Sequence, residues 1–223
     1  MAEQVRPVNT SLVHTLRLPR GSERGQHPLL VLLHGRGADE HDLLPLADHL
    51  DGRLLVVSFR APLPFPNGGA AWYHIHHVGA PEEGSLVRSL DLLRRSLREV
   101  VEGYPVDARH VYLLGFSQGA VMSFAAALSH PELVTGVVAL SGYVPTGPEV
   151  TIQRERARSV EFFVGHGVYD EIIPIEHGRA AQRFLTDLGA EVVYREYPMG
   201  HQISLDELED VAAWLAHRLD RGG

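Results

Sequence analysis

The chain lacks cysteine and lysine, and its longest apolar runs are only about five residues. The missing cysteine excludes a disulfide framework, a thiol nucleophile and a cysteine-ligated metal site. All 20 basic residues are therefore arginine, and against 28 acidic residues they leave a net charge of −8. That balance argues against nucleic-acid binding, which depends on clustered positive charge. The short apolar runs fall far below the ~20 residues that cross a bilayer, so stable membrane insertion is not expected.

What is present is the composition of an ordinary globular protein, with 44% hydrophobic and 22% charged residues. A length of 223 residues predicts one domain, residues 1–223, with a sizeable core. The segment from Met1 to Arg20 carries charges and no apolar core of signal-peptide length, which predicts a cytoplasmic protein. Whether two copies form a homodimer is left open by the sequence.

Apolar runs typical of buried strands alternate with segments of helical periodicity. The predicted strands are Leu29–Leu33, Leu54–Phe59, Val111–Leu114, Gly136–Leu140, Glu161–Val164 and Val192–Tyr197, with Val13–Leu18 as an antiparallel edge strand. The predicted helices are Asp42–Leu50, Ser85–Val101, Ser117–Leu128, Ile175–Leu188 and a last helix striped by Leu208, Val211, Leu215 and Leu219. The proline- and glycine-rich stretch 61–69 is predicted to be irregular. This alternation predicts an α/β fold with a mostly parallel central sheet, helices on both faces and no large cap domain.

A serine between two glycines, Gly115-Phe116-Ser117-Gln118-Gly119, follows one of these strands and opens a helix. This context is typical of a nucleophile elbow, whose sharp turn crowds side chains at the flanking positions and exposes the serine hydroxyl. The pentapeptide alone is weak evidence, because an ordinary helix could also begin at this serine. Partners for Ser117 after other strands of the same sheet would strengthen the interpretation.

Two further polar residues follow predicted strands, where ligands bind in a parallel sheet. Asp170 comes after Glu161–Val164, and His201 comes after Val192–Tyr197. The chain order Ser117, Asp170, His201 is that of the α/β-hydrolase triad. His201 would take the proton of Ser117, and Asp170 would orient and stabilise the imidazole. The neighbouring Glu171 is a rival for the acid.

Acyl transfer also needs hydrogen-bond donors for the oxyanion that develops on the substrate carbonyl. One candidate is the backbone N–H of Gln118, at a helix start where amide groups are unpaired. The other is the backbone N–H of Arg36, in the glycine-flanked segment His34-Gly35-Arg36-Gly37 after the first buried strand. His34 is interpreted as a support for this loop.

Four motifs together resemble the carboxylesterase/phospholipase family of α/β-hydrolases, which includes acyl-protein thioesterases and many small bacterial esterases. They are His34-Gly35-Arg36-Gly37-Ala38-Asp39-Glu40, Gly115-Phe116-Ser117-Gln118-Gly119, Gly167-Val168-Tyr169-Asp170-Glu171-Ile172-Ile173-Pro174 and Gly200-His201-Gln202-Ile203. The resemblance implies an α/β-hydrolase fold, the triad Ser117, Asp170 and His201, and the oxyanion donors Arg36 and Gln118. It also implies that the segment from Arg60 to Tyr73 lines the acyl pocket, with Phe65 and Trp72 as substrate-binding residues. Arg36 stands where thioesterase members usually carry leucine, and Ala38 is an extra residue before Asp39, so the bacterial esterase subgroup is favoured.

We expect a serine carboxylesterase that hydrolyses short- to medium-chain esters of small molecules without a cofactor. An acyl thioesterase or a lysophospholipase remains an alternative within the enzymes, and a non-catalytic small-molecule receptor is an alternative of a different class. His74 and His76 alternate on one side of an extended segment that also holds His77, and imidazole is a common zinc ligand. No carboxylate sits at a familiar ligand spacing, so we interpret the three histidines as part of a solvated loop and predict no metal.

Overall fold

The computed structural model describes residues 7–21, 25–82, 84–147 and 150–221. Its strands are β1 (His14–Arg17), β2 (His27–Leu33), β3 (Leu55–Phe59), β4 (Leu63–Pro64), β5 (Ala70–Ala71), β6 (Ile75–His77), β7 (Ala80–Pro81), β8 (Val106–Phe116), β9 (Gly136–Leu140), β10 (Glu161–Gly167) and β11 (Glu191–Tyr197). Its helices are α1 (Ser85–Gly103), α2 (Gln118–Ser129), α3 (Arg154–Ala157), α4 (Ile175–Leu188) and α5 (Leu205–Arg221). Short 3₁₀ turns occupy Leu44–Asp48, Pro66–Gly68 and Pro131–Leu133.

Within the described residues, seven of these strands form one sheet in the order β1-β3-β2-β8-β9-β10-β11. β1 pairs antiparallel with β3, and every other neighbouring pair in this sheet is parallel. The α/β architecture and the antiparallel edge strand predicted from the sequence are thereby confirmed. Because β3, β2, β8, β9, β10 and β11 run parallel, their carboxyl ends all lie at one edge of the sheet.

Apolar residues on the two faces of the sheet belong to two separate layers of core. In β2, Leu29, Val31 and Leu33 pack into the layer that contains α1, α2 and α4. Leu30 and Leu32 point the other way, into the layer that contains α5. All five side chains are fully buried, which explains the unbroken apolar run, since a strand covered on both faces needs no polar alternation. Each such leucine stabilises the fold by roughly 1.5–3 kcal/mol through burial.

The helices follow the predicted pattern with one exception. The segment Asp42–Leu50 forms only the five-residue 3₁₀ turn Leu44–Asp48, which has a proline at its start. The stretch 61–69, predicted to be irregular, contributes β4 to a two-residue antiparallel ladder with β5. Both departures involve pieces of chain too short for a periodicity to develop, so contacts with the rest of the fold decide their conformation. No described helix combines the length and apolar character required to cross a bilayer.

Candidate active site

Ser117 occupies the turn between β8 and α2, and its backbone is strained. Its φ and ψ are 54° and −117°, in a region that residues with a side chain rarely adopt. Methyl groups on the flanking glycines would collide with backbone. A Cβ on Gly115 would lie 2.2 Å from the carbonyl oxygen of Gly119, and one on Gly119 would lie 1.8 Å from that of Leu33. The two glycines are therefore required by the close approach of three backbone segments at this turn.

The side chains of Ser117, His201 and Asp170 form a continuous hydrogen-bonded chain. The Nε2 of His201 lies 2.9 Å from the Oγ of Ser117, and its Nδ1 lies 2.7 Å from the Oδ2 of Asp170. A carboxylate can only accept, so Nδ1 carries the proton and Nε2 is free to accept the serine hydroxyl proton. The other carboxylate oxygen of Asp170 accepts the backbone N–H groups of Ile172 and Ile173 at 2.9 and 2.8 Å. These bonds replace the water that the buried carboxylate has lost.

The loops that carry the acid and the histidine are fastened to each other by backbone contacts. Tyr169 donates its N–H to the carbonyl of Met199 at 3.0 Å, and Val168 donates to Tyr197 at 2.9 Å. A Cβ on Gly167 would lie 2.4 Å from the carbonyl oxygen of Met199, so only glycine permits this approach. The contacts hold the histidine loop against the acid loop at the carboxyl ends of β10 and β11. The exposed Glu171, the rival acid, makes no contact with the histidine.

A buried second histidine lies beneath the acid. The Nε2 of His166 donates to the carbonyl of Ile173 at 2.7 Å and is 3.6 Å from the Oδ2 of Asp170. Burial lowers the pKa of His166, because the charged imidazolium loses its hydration. His166 is therefore a neutral donor that supports the loop holding the carboxylate.

The two backbone N–H groups expected to face an oxyanion belong to residues that border one cavity with Ser117. Arg36 and Gln118 both line this cavity. Within the described part of the chain, no hydrogen bond engages the N–H of either residue. Unpaired N–H groups at the start of α2 and in the loop after β2 are the donors that an oxyanion requires.

His34 is fully buried under the loop that carries Arg36. Its Nδ1 donates to the carbonyl of Gly35 at 2.7 Å, and its Nε2 accepts the N–H of Ala61 at 3.0 Å. Burial lowers its pKa, since the ring has little access to water, and the bonding pattern is that of the neutral imidazole. One side chain thus joins the loop after β2 that carries Arg36, here called the oxyanion loop, to the segment after β3.

The side chain of Gln118 connects the nucleophile elbow to the segment that follows β5. Its Oε1 accepts the N–H of Trp72 at 3.0 Å, and its Nε2 donates to the carbonyl of Tyr73 at 2.9 Å. The amide is buried, so both bonds are made away from solvent. Gln118 therefore combines a free backbone donor with a side chain that positions the pocket wall.

The cavity beside Ser117 has a volume of about 330 Å³. Most of its wall is aromatic or aliphatic, formed by Phe65, Tyr73, Ile75, Val78, Tyr143, Ile172 and Ile173. Phe65 lies where the sequence predicts it. Trp72 does not: its side chain is fully buried behind the wall, where its Nε1 donates to the carbonyl of His34 at 2.9 Å. It supports the oxyanion loop and does not border the cavity.

Two aromatic residues of the site were not singled out from the sequence. Phe116 packs its ring against the imidazole of His201, with ring centroids 4.9 Å apart. Tyr143 lines the cavity and has its hydroxyl 3.2 Å from that of Tyr73. Tyr143 comes three residues after β9, so the strand-end rule that selected Asp170 and His201 could have found it.

The three histidines on and before β6 are exposed and lie outside the wall of the cavity. Across residues 7–21, 25–82, 84–147 and 150–221, no group of three or more histidine, aspartate or glutamate side chains is arranged to hold a metal ion. The arrangement at Ser117 consists of a hydroxyl, an imidazole that is hydrogen-bonded to it, a carboxylate on the far side of the imidazole and unpaired backbone N–H groups beside the same cavity, which is the geometry of an acyl-transfer site.

Comparison with known proteins identifies a family that matches most of the chain. Residues 20–219 match the model of the phospholipase/carboxylesterase family. The chain is 29% identical over 157 residues to a probable carboxylesterase of Oryza sativa subsp. japonica, covering 67% of this chain but only 58% of that protein. It is 27% identical over 217 residues to acyl-protein thioesterase 1 of Mycosarcoma maydis, covering 83% of this chain and 89% of that protein.

Similarity to a solved structure extends over nearly the whole fold. The crystal structure of a carboxylesterase from Mesorhizobium loti superposes with a TM-score of 0.83 and 24% identity, covering 96% of this chain and 99% of the other. At this identity the likeness establishes the α/β-hydrolase fold, and the family assignment comes from the matched residues. The chain belongs to the phospholipase/carboxylesterase family.

Proposed function

We propose that this protein is a cytoplasmic serine carboxylesterase that hydrolyses short- to medium-chain esters of small molecules. The observation that carries the proposal is the hydrogen-bonded chain from Ser117 through His201 to Asp170, with distances of 2.9 and 2.7 Å, beside an apolar cavity. The family membership supports the same chemistry. Ser117 acts as the nucleophile, His201 as the base and Asp170 as the orienting acid.

In the first half-reaction, the Oγ of Ser117 attacks the ester carbonyl carbon while Nε2 of His201 takes the hydroxyl proton. The carbonyl oxygen becomes an oxyanion, which the N–H groups of Arg36 and Gln118 stabilise. The intermediate collapses, the bond to the alcohol oxygen breaks, and His201 gives its proton to the departing alcohol. Asp170 stabilises the imidazolium throughout and keeps its proton on Nδ1.

In the second half-reaction, water attacks the acyl-serine and His201 takes its proton. The second tetrahedral intermediate uses the same two N–H groups. Its collapse returns the proton from His201 to the Oγ of Ser117 and releases the carboxylic acid. Each cycle consumes one ester and one water and yields one alcohol and one acid.

The size of the cavity supports small substrates. A volume of about 330 Å³ is near the lower end of the roughly 300–1,000 Å³ typical of small-molecule pockets. Its aromatic and aliphatic wall suits a short acyl chain, which gains about 0.8 kcal/mol for each buried methylene. We therefore expect activity to peak at short or medium chain length.

The test is hydrolysis of p-nitrophenyl esters from C2 to C16 by the wild type and by Ser117→Ala. We expect rapid turnover that peaks below C12 and falls by at least about 10⁴-fold in the variant. Ser58→Ala is the matched control, because it removes a buried hydroxyl in the middle of β3. Equal rates for the wild type and Ser117→Ala would refute the serine mechanism and favour the receptor alternative.

Thioester hydrolysis is a second candidate, because the acyl-serine intermediate is the same and one relative is an acyl-protein thioesterase. Octanoyl thioesters and lysophospholipids, compared with p-nitrophenyl octanoate at equal concentration, separate these activities. A higher kcat/KM for the thioester or the lysolipid would overturn the assignment as a carboxylesterase and leave the triad chemistry intact.

A further inference from the structure

One permanently charged side chain, that of Arg36, borders the largely apolar cavity beside Ser117. Arg36 is the one residue with a permanent charge among the described residues that line it. Its guanidinium carbon lies 4.8 Å from the centroid of the Phe65 ring, so the side chain rests on the cavity wall. A cation against an aromatic face is held by a modest attraction and keeps its N–H donors available to other partners.

The guanidinium of Arg36 has no carboxylate partner within the described part of the chain. Arg60, in the neighbouring segment, shows the contrast. Its Nη1 lies 2.9 Å from a carboxylate oxygen of Glu40, and its Nη2 donates to the carbonyl of Gly68 at 2.6 Å. Arg60 therefore fastens the loop, whereas the fork of Arg36 retains its hydrogen-bonding capacity at the mouth of the site.

The chemistry of the two parts of Arg36 limits where a bound anion would sit. Its backbone N–H is the proposed donor to the oxyanion, and its side chain starts from the Cα bonded to that nitrogen. A group bound by the guanidinium thus lies within about one arginine side-chain length of the N–H that would face the scissile carbonyl. The planar fork of guanidinium matches a carboxylate with two parallel hydrogen bonds.

We propose that Arg36 binds a second, ionised carboxylate on the acyl part of the substrate, so that the preferred substrates are monoesters of short dicarboxylic acids. This inference rests on the proposed esterase function. The cavity wall receives the methylenes between the two carboxyl groups, and the guanidinium receives the free carboxylate. Because no acidic residue lines the cavity among those that the structure describes, the negative charge opposite Arg36 comes from the substrate.

The test compares p-nitrophenyl hemiglutarate with p-nitrophenyl pentanoate, which have five-carbon acyl groups with and without the carboxylate. Rates are corrected for uncatalysed hydrolysis, and the kcat/KM ratio of the two esters is measured for the wild type, Arg36→Met and Arg36→Lys. We expect Arg36→Met to lower the ratio at least tenfold, since a hydrogen bond to a charged group is lost. Arg36→Lys, which keeps the charge without the planar fork, should lower it less.

Arg183→Met is the control for net charge, because Arg183 is exposed on α4 and lies outside the cavity wall. It should leave the ratio at the wild-type value. A ratio that is unchanged in Arg36→Met, while hydrolysis still requires Ser117, overturns the inference and leaves the esterase function standing. Absence of any Ser117-dependent hydrolysis removes the esterase function itself.

A second pair of esters tests the side of the substrate that carries the anion. Phenyl pentanoate and 4-carboxyphenyl pentanoate have the same acyl group, and only the second ester carries a carboxylate, on its leaving group. If Arg36→Met changes the kcat/KM ratio of this pair and leaves that of the first pair unchanged, the assignment of the anion to the acyl side is overturned. Binding supplies a readout independent of turnover. Glutarate should bind the Ser117→Ala variant more tightly than pentanoate does. Adding Arg36→Met to this variant should remove the difference in affinity between the two anions.

Discussion

The Nδ1–H of His34 donates to the carbonyl oxygen of Gly35, and that carbonyl shares its peptide plane with the N–H of Arg36. In a trans peptide the C=O and N–H point in opposite directions. The imidazole therefore sets the direction of the N–H of Arg36, which is the proposed oxyanion donor. The carbonyl of Gly35 also accepts the N–H of Ala38 at 3.3 Å, which holds the same plane from a second side.

His34→Phe should lower kcat by about 10–100-fold, approaching the loss expected when one oxyanion donor is misplaced. A buried aromatic ring of slightly larger size is kept, but the carbonyl of Gly35 and the N–H of Ala61 lose their partner. We expect kcat to fall more than KM rises, because the oxyanion exists only after attack. Titration of active sites with a serine-reactive phosphonate corrects for misfolded protein. An unchanged kcat per titrated site would refute the positioning role.

Gln118→Met keeps the backbone N–H at the start of α2 and removes both side-chain bonds to Trp72 and Tyr73. We expect KM to rise several-fold for medium-chain esters, because Tyr73 and the wall it belongs to lose their tether. The kcat for acetate esters, which barely fill the cavity, should change less. Steady-state kinetics on C2 and C8 esters measures this split, and equal effects on both substrates would contradict it.

Gly119→Ala should destabilise the protein by about 3 kcal/mol or more, because the new methyl group would overlap the carbonyl oxygen of Leu33. Gly189→Ala is the comparison. Gly189 follows α4 with a φ of +84°, and a Cβ at this position would have no packing neighbour within 4 Å. Its replacement by alanine therefore tests conformational strain alone. We expect it to cost about 1 kcal/mol. Urea unfolding of both variants measures the two free energies, and equal losses would show that packing at the elbow is unimportant.

Glu207 provides a prediction about pH. It is fully buried in α5, where a Cβ on Gly165 would lie 2.2 Å from its Oε1, and neither carboxylate oxygen has a hydrogen-bond partner among the described residues. Burial first, and then the negative charge of Asp210, raises its pKa from 4.5 to about 8. Between these two pH values the unfolded state ionises while the folded state keeps the proton. The folded protein therefore loses stability as pH rises from 4.5 to 8.

Glu207→Gln keeps the shape of the side chain and removes its ionisation. Relative to the wild type, the variant should gain about 1–3 kcal/mol in the free energy of unfolding between pH 5 and pH 8. Taking the difference between the two proteins cancels the titration of the histidines and other groups. Denaturant unfolding across this pH range makes the measurement. Parallel curves for the two proteins would show that Glu207 does not titrate in this window.

The three residues of the proposed triad could be brought together from the sequence because their positions follow from strand ends. Ser117, Asp170 and His201 each come shortly after a parallel strand, and parallel strands bring their carboxyl ends together. The position of Trp72 could not be obtained this way. Whether a large aromatic side chain borders a cavity or supports its wall depends on neighbours distant in sequence, here His34.

The short ladder of β4 and β5 also could not be predicted from the sequence. β4 and β5 have two residues each, so no alternation can be read from them. Their pairing depends on the oxyanion loop, since Gly37 donates to the carbonyl of Ala70 at 2.7 Å and Ala70 donates to that of Ala38 at 2.8 Å. The side-chain bonds of Gln118 also reach across the fold, over more than 40 positions in sequence.

The proposed oxyanion donors are main-chain atoms, and this has a consequence for how the protein can diversify. Replacing Arg36 by another non-proline residue exchanges the chemical character of the cavity mouth but retains an N–H at the same point of the chain. Within Arg36, the backbone N–H thus serves the proposed reaction, and the side chain serves the choice of substrate. If Arg36 selects the substrate as proposed, mutation at position 36 redirects selectivity and leaves the backbone donor in place.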